Sequence, residues 1–270
     1  MPDTIGSLTR RAAAAACLTL ALAVPAVAQD PGPSPVAAPS APAFMSRYDF
    51  HLSAAGLSSP DERLSWDTHF GGDLDIVDYV GGRVNVLIDY QAMLGSEYRP
   101  FDPNQGNYTL EASASGRVGG TEIAGVFHHL SRHLSDRPKR FAVAYNAFGA
   151  RVLRRFVAAG TTVDLRAEAA KVVQLSYLDY RWTAAADLLI RRPINKVAGV
   201  YGRGAISFYG IDPSASDRTR QRGGRFEGGV RLEGQAGAVE LFAGYERRVD
   251  AYQVDLLPMQ WGFAGFRFTR

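Results

Sequence analysis

The feature that most limits what this chain can fold into is a period of two, sustained over run after run and interrupted by turns that alternate between short and long. Tyr48, Phe50, Leu52 and Ala54 alternate with Arg47, Asp49, His51 and Ser53. Val84, Val86, Ile88, Tyr90 and Ala92 share one phase, as do Tyr108, Leu110, Ala112 and Ala114. Leu178, Tyr180, Trp182, Ala184, Ala186 and Leu188 form another such series, and Phe226, Val230 and Leu232 a further one. A strand turns successive side chains to opposite faces, so each run reads as a strand with one apolar and one polar face. Leu165 to Leu175 carries good helix formers, but Thr161-Thr162-Val163 and its place between strands favour a strand.

Compact turn signals fall at Gly81-Gly82, Gly119-Gly120, Ala158 to Thr161, Arg192 to Asn195 and Gln235 to Gly237. Between them lie longer polar stretches at 95–106, 133–139, 173–176, 209–224 and 250–256. This spacing predicts about twelve strands of about ten residues with both ends on the short-turn side, the layout of an all-β, transmembrane, antiparallel up-and-down barrel of the bacterial outer membrane. The polar face carries charges of both signs, as a hydrated lumen would. Tyr48, Trp66, Tyr90, Tyr108, Trp182, Phe226, Tyr245 and Trp261 lie near strand ends on the apolar face, as an aromatic girdle would. Arg151, Arg154 and Arg155 are expected to line the lumen with Asp164, Arg166 and Glu168, while His51 and His69 have no visible partner. The final run, QWGFAGFRFTR, places Phe263, Phe266 and Phe268 in the aromatic pattern that the barrel-insertion machinery reads, with Thr269 and Arg270 beyond it.

The beginning of the chain predicts export. Arg10 and Arg11 precede an apolar run from Ala12 to Val24, followed by Ala26-Val27-Ala28, which reads as a signal peptide over 1–28. The single cysteine, Cys17, lies inside it, so the mature chain has no thiol for disulfide, metal or nucleophile. Residues 29–43, with five prolines, read as a disordered or polyproline-like linker, and 44–270 as the barrel. A formal net charge of +3 is too weak to imply nucleic acid. The expected place is the outer membrane, and the expected partners are its lipid and lipopolysaccharide.

Three of the five histidines fall in FHHLSRHLSD, residues 127–136. Residues i and i+2 of a strand share a face about 6.6 Å apart, so His129 and Ser131 can meet as base and nucleophile. Asp136 or Asn146 is then the candidate third member that orients the imidazole. The phase of Ile123, Gly125 and Phe127 turns the pair outward, toward lipid. A metal site on His129 and His133 is disfavoured, since i and i+4 of a strand lie about 13 Å apart; no metal or other cofactor is expected. The remaining reading is a polar rim hairpin in which His133, Asp136 and Arg137 bind ions or lipopolysaccharide phosphate, with Arg132 and Lys139 as further phosphate contacts. The basic loop 209–224 reads either as a solvated loop or as a contact for outer-leaflet phosphate.

The His129-x-Ser131 pair on a barrel strand resembles the outer-membrane phospholipase A family and the lipid A deacylase family, whose third members are Asn and Glu respectively. That resemblance implies acyl-ester hydrolysis. Asn146 lies further downstream than the phospholipase pattern, and Arg132-His133 stand where that pattern has Asn-Gly. The longer string His129-Leu130-Ser131-Arg132-His133-Leu134-Ser135-Asp136 is similar to the signature of an uncharacterised family of Gram-negative outer-membrane barrels, H-x-S-S-H-L-G-D-E, to which no activity attaches. The expectation from sequence is therefore an outer-membrane barrel whose role is envelope-structural or lipid-contacting, with lipid acyl hydrolysis as the alternative.

Overall fold

The computed structural model describes residues 33–135, 142–252 and 254–270. Twelve strands follow in chain order: β1 (Ala43–Leu57), β2 (Trp66–Asp78), β3 (Arg83–Gly95), β4 (Asp102–Val118), β5 (Thr121–Leu134), β6 (Val143–Ala158), β7 (Thr161–Ser176), β8 (Tyr180–Pro193), β9 (Ala198–Ile211), β10 (Gln221–Glu233), β11 (Ala238–Tyr252) and β12 (Leu257–Thr269). Each pairs antiparallel with its neighbours, and β1 closes on β12 from His51↔Thr269 to Leu57↔Phe263. Over this span closure pairs both edges of the sheet, which a wall facing hydrocarbon requires; Ala43 to Asp49 run on past the end of β12 and pair with β2 alone. The expected up-and-down barrel is the fold, and residues 165–175 are a strand within it.

The strands run longer than the expected ten residues, from 13 in β2 to 17 in β4. The hairpins continue pairing past the apolar band, and the connections shrink accordingly. Residues 102–106 and 173–176, read from sequence as loop, belong to β4 and β7.

The outer wall is apolar. Ile88, Phe148 and Phe226 are 55%, 58% and 58% exposed. The interior is its inverse, with arginines and carboxylates interlocked. Arg83 holds Asp75 and Glu122, Arg151 holds Glu111 and Glu168, and Arg267 holds Glu227 and Glu240. Lumen charges removed from bulk water persist because each is paired and hydrogen-bonded. His51 and His69, without partners in the sequence reading, both bond Asp89, at 2.6 and 3.0 Å. Arg155 pairs with Asp164 as expected, whereas Arg154 points outward over the Phe156 ring.

One girdle assignment and one strand face change. Trp261 is 2% exposed and packs inside with Leu64, Met93, Phe242 and Phe263. Its strand phase puts Phe266 and Phe268 outward instead, so the terminal aromatics divide between two faces. The series from Leu178 to Leu188 is also not one face. The register slips between Tyr180 and Trp182, so Leu178 and Tyr180 are buried inside with Val143 and Ala147. A bulge adds one residue, and one residue inverts the phase.

The segment before β1 is not a free linker where it is described. Pro33 and Pro35 are buried, and the Arg83 guanidinium donates to the Ser34 carbonyl at 2.8 Å. Residues 33–36 thereby enter the short-turn end of the lumen, lining a chamber of about 440 Å³ with Arg47, Arg203 and Arg267.

A candidate active site on the outer wall

Strand β5 rises from the Gly119-Gly120 turn to the end of the barrel that carries the longer loops. Its inward residues are fixed by the lumen. Glu122 is paired with Arg83, and the His128 imidazole lies between Glu111, 3.0 Å from Nδ1, and Glu168, which contacts Nε2. With His128 locked inside, His129 falls on the outer face, as do Ser131 and His133. The outward orientation read from sequence therefore follows from ion pairing on the other side of the wall.

Across the β5–β6 ladder His129 lies directly opposite Asn146. The His129 Nδ1–H donates to Asn146 Oδ1 at 2.6 Å, and Asn146 Nδ2 donates to Gln174 Oε1 at 2.8 Å. The amide chain spans three strands and directs the free Nε2 lone pair of His129 away from Asn146. A register shift in the β6–β7 ladder just after Asn146 pairs Asn146 with Gln174 but Ala147 with Val172, which leaves Val173 as an extra residue. The bulge brings the amide of Gln174 onto the same face as Asn146.

Ser131 stands two residues beyond His129. Its Oγ is 2.9 Å from His133 Nε2, so the hydroxyl lies between histidines on both sides along the strand and rests on the outer one. The His133 ring meets Tyr108 edge to face at 5.4 Å, and Tyr108 packs on Tyr90 at 4.9 Å. Gly106, opposite His133 in the ladder, admits this column: a Cβ there would lie 2.8 Å from the Tyr90 hydroxyl. On the other side of His129, toward the middle of the wall, Phe127 and Phe148 pack at 5.0 Å, followed by the small outward residues Gly125 and Ala150, which are paired in the ladder. The polar group thus sits where the apolar band ends.

Of the residues singled out from sequence, His129, Ser131, His133 and Asn146 come together on one face. Asn146, too distant along the chain for the phospholipase pattern, is brought opposite His129 because β5 and β6 pair in full. Asp136 and Arg137 lie outside the described residues, as do Lys139 and the segment read as a signal peptide. Arg132 turns inward and donates to the Asp250 carbonyl at 2.7 Å, away from the outer surface expected for it. Among the described residues no group of three or more His, Cys, Asp or Glu is placed to hold a metal ion. Two neighbours of the group are not marked as such in the sequence: Gln174, in a stretch that reads as loop but belongs to β7, and Tyr108, which meets His133. The one sign of Gln174 in the sequence is an amide inside the otherwise apolar Val172-Val173-Gln174-Leu175.

At the same end, outside the apolar band, Arg63 bridges two loops. It bonds Asp61 at 2.7 Å and Asp255 at 3.0 Å, and its guanidinium covers the Tyr252 ring at 3.8 Å. The Arg63 side chain holds the Asp61 carboxyl below its ordinary pKa of 3.8.

No family model matches the sequence, and no curated protein matches it. Solved structures do. Outer membrane phospholipase A from Escherichia coli is 10% identical, with 83% of this chain and 92% of that one covered, at a TM-score of 0.50. The Salmonella typhi outer membrane phospholipase dimer with bound calcium is 10% identical over 81% of this chain and 89% of its own, at 0.47. Omp33 of Acinetobacter baumannii is 10% identical over 82% and 96%, at 0.38. At that identity the likeness to the Escherichia coli protein is one of fold alone, the closed antiparallel barrel of outer-membrane proteins.

Proposed function

We propose that this outer-membrane-type barrel is a lipid acyl hydrolase, with Ser131 as nucleophile, His129 as its base and Asn146 as the group that orients the imidazole. The observation that carries the reading is the His129–Asn146–Gln174 chain, built beside an outward serine at the edge of the apolar wall. Three polar side chains on the outside of a barrel at that height are costly next to lipid. Base-activated attack on an ester accounts for them, and acyl lipids are the esters such a surface meets.

In the proposed reaction the Ser131 hydroxyl turns about χ1 from His133 toward His129, a step between staggered rotamers. His129 Nε2 takes the proton as Oγ attacks the ester carbonyl, and then delivers it to the departing lipid alkoxide. Water, deprotonated by the same Nε2, cleaves the acyl-serine, releasing fatty acid and restoring the hydroxyl. Asn146 accepts from Nδ1–H throughout, which fixes the tautomer and stabilises the imidazolium. Phe127, Phe148 and the small residues beyond them offer an apolar path for the acyl chain along the wall.

The test is to reconstitute the purified protein with phospholipid and with lipopolysaccharide and to follow fatty-acid release beside Ser131→Ala and His129→Ala variants. The reading requires release from one of these lipids and its loss, by about a thousandfold or more, in both variants. Release that persists in both, or never occurs with either lipid in protein shown to be folded by heat-modifiable gel mobility, overturns it.

A further inference from the structure

Five strands round the barrel from Ser131, the arginines of the wall obey a different rule from those of the lumen. The inward Arg203, Arg225, Arg231, Arg248 and Arg267 each hold a carboxylate within 3.0 Å. Among the described residues Arg220, Arg222 and Arg247 have no ion pair; their contacts are with an aromatic ring and with backbone. Arg247 Nη1 donates to the Arg222 carbonyl, which ties the β11 guanidinium to the start of β10. The Arg220 guanidinium lies 5.5 Å from the Trp182 ring centre. Arg222 and Arg247 share the outward phase of Phe226 and Tyr245, which face each other one row further into the wall and are 58% and 49% exposed. In the loop before β10, Asp212 accepts from Ser214 at 2.7 Å, and the exposed Asp217 makes no ion pair with these three arginines; Asp179, in the β7–β8 connection, is held by Arg218 at 3.0 Å.

We propose that Arg220, Arg222 and Arg247 form a binding site for the phosphate of a membrane lipid, whose acyl chains cover Phe226 and Tyr245. Guanidinium groups bind phosphate through paired N–H donors and remain charged at any physiological pH. A free phosphate leaves the aromatic surface below it uncovered, whereas a phosphorylated amphiphile satisfies both. Along β10 and β11 the acids Glu227, Glu240 and Glu246 all lie in the inward phase, and the outward positions beside Arg222 and Arg247 carry none, which marks this charge as meant for a ligand from outside the chain.

The experiment uses full-length protein carrying Ser131→Ala, so that hydrolysis at the other site cannot consume the probe and its outcome is independent of the hydrolase reading. Phosphatidic acid, lipopolysaccharide and phosphatidylcholine are titrated in detergent and retained lipid is counted by native mass spectrometry. The expected result is preferential retention of phosphatidic acid or lipopolysaccharide over phosphatidylcholine. Adding Arg220→Ala, Arg222→Ala and Arg247→Ala is expected to weaken that binding at least tenfold, at roughly fivefold for each arginine near a lipid surface. The two anionic lipids separate a simple phospholipid headgroup from the larger glycolipid. Equal retention of phosphatidylcholine, or undiminished binding in the folded triple variant, overturns the proposal.

Discussion

His129 and Asn146 stand directly opposite one another on β5 and β6, joined by an Nδ1–H to Oδ1 hydrogen bond of 2.6 Å. An asparagine at this point accepts the proton-bearing nitrogen without adding a charge to a wall in contact with lipid. Replacing Asn146 by alanine is expected to lower kcat for acyl release about a hundredfold with KM nearly unchanged, since it frees the imidazole to rotate and change tautomer. Gln174→Ala, one bond further out, is expected to cost only a few-fold. A KM effect without a kcat effect in Asn146→Ala would assign the residue to lipid contact.

The Ser131 hydroxyl rests on His133, 2.9 Å away, rather than on His129. His133→Ala is therefore expected to leave kcat within about tenfold of the parent, because the amide chain that orients a base belongs to His129. Steady-state kinetics of the two histidine variants side by side decide the matter. If His133→Ala abolishes release and His129→Ala does not, the base is His133.

Arg151 is the shared partner of Glu111 and Glu168, which also flank His128. Arg151→Met removes the guanidinium that these two buried carboxylates share, and is expected to destabilise the barrel by about 3–5 kcal/mol. The shift in the denaturant midpoint of the refolded protein measures it. Because His128 fixes the phase of β5, acyl release is expected to fall as well.

Residues 33–36 occupy the short-turn mouth, with Arg83 on the Ser34 carbonyl at 2.8 Å. Deleting 29–36 is expected to increase ion conductance across planar bilayers. Unchanged conductance would mean that the arginine–carboxylate lattice closes the lumen by itself.

Asp61 has its carboxyl pKa lowered by the Arg63 side chain. A lowered folded pKa means that the stabilisation is present above the ordinary value of 3.8 and is lost as pH falls through the lower folded one. The Arg63–Asp61 contact within the β1–β2 loop, which helps hold the guanidinium that also reaches Asp255, is thus expected to loosen as pH falls below 3.8. Faster hydrogen exchange at 58–65 in acid, absent from Arg63→Ala, which is loose at every pH, would report it.

The period-two pattern determined the barrel, its strand number and the outward phase of His129 and Ser131, because burial on a strand is decided locally by alternate residues. It failed where one residue is added. The slip at Tyr180–Trp182 turned Leu178 and Tyr180 inward, and the slip after Asn146 aligned Gln174; neither leaves a mark in hydrophobicity. Cross-strand partners were equally hidden. His51 and His69 meet at Asp89, and Asn146 reaches His129, only because long hairpins in a closed barrel bring residues far apart in the chain into one row. The alphabet of the site, a histidine two before a serine, is written in β5 alone. The proposed third member, Asn146, and its partner Gln174 come from β6 and β7, and register, a property of paired strands, brought them there.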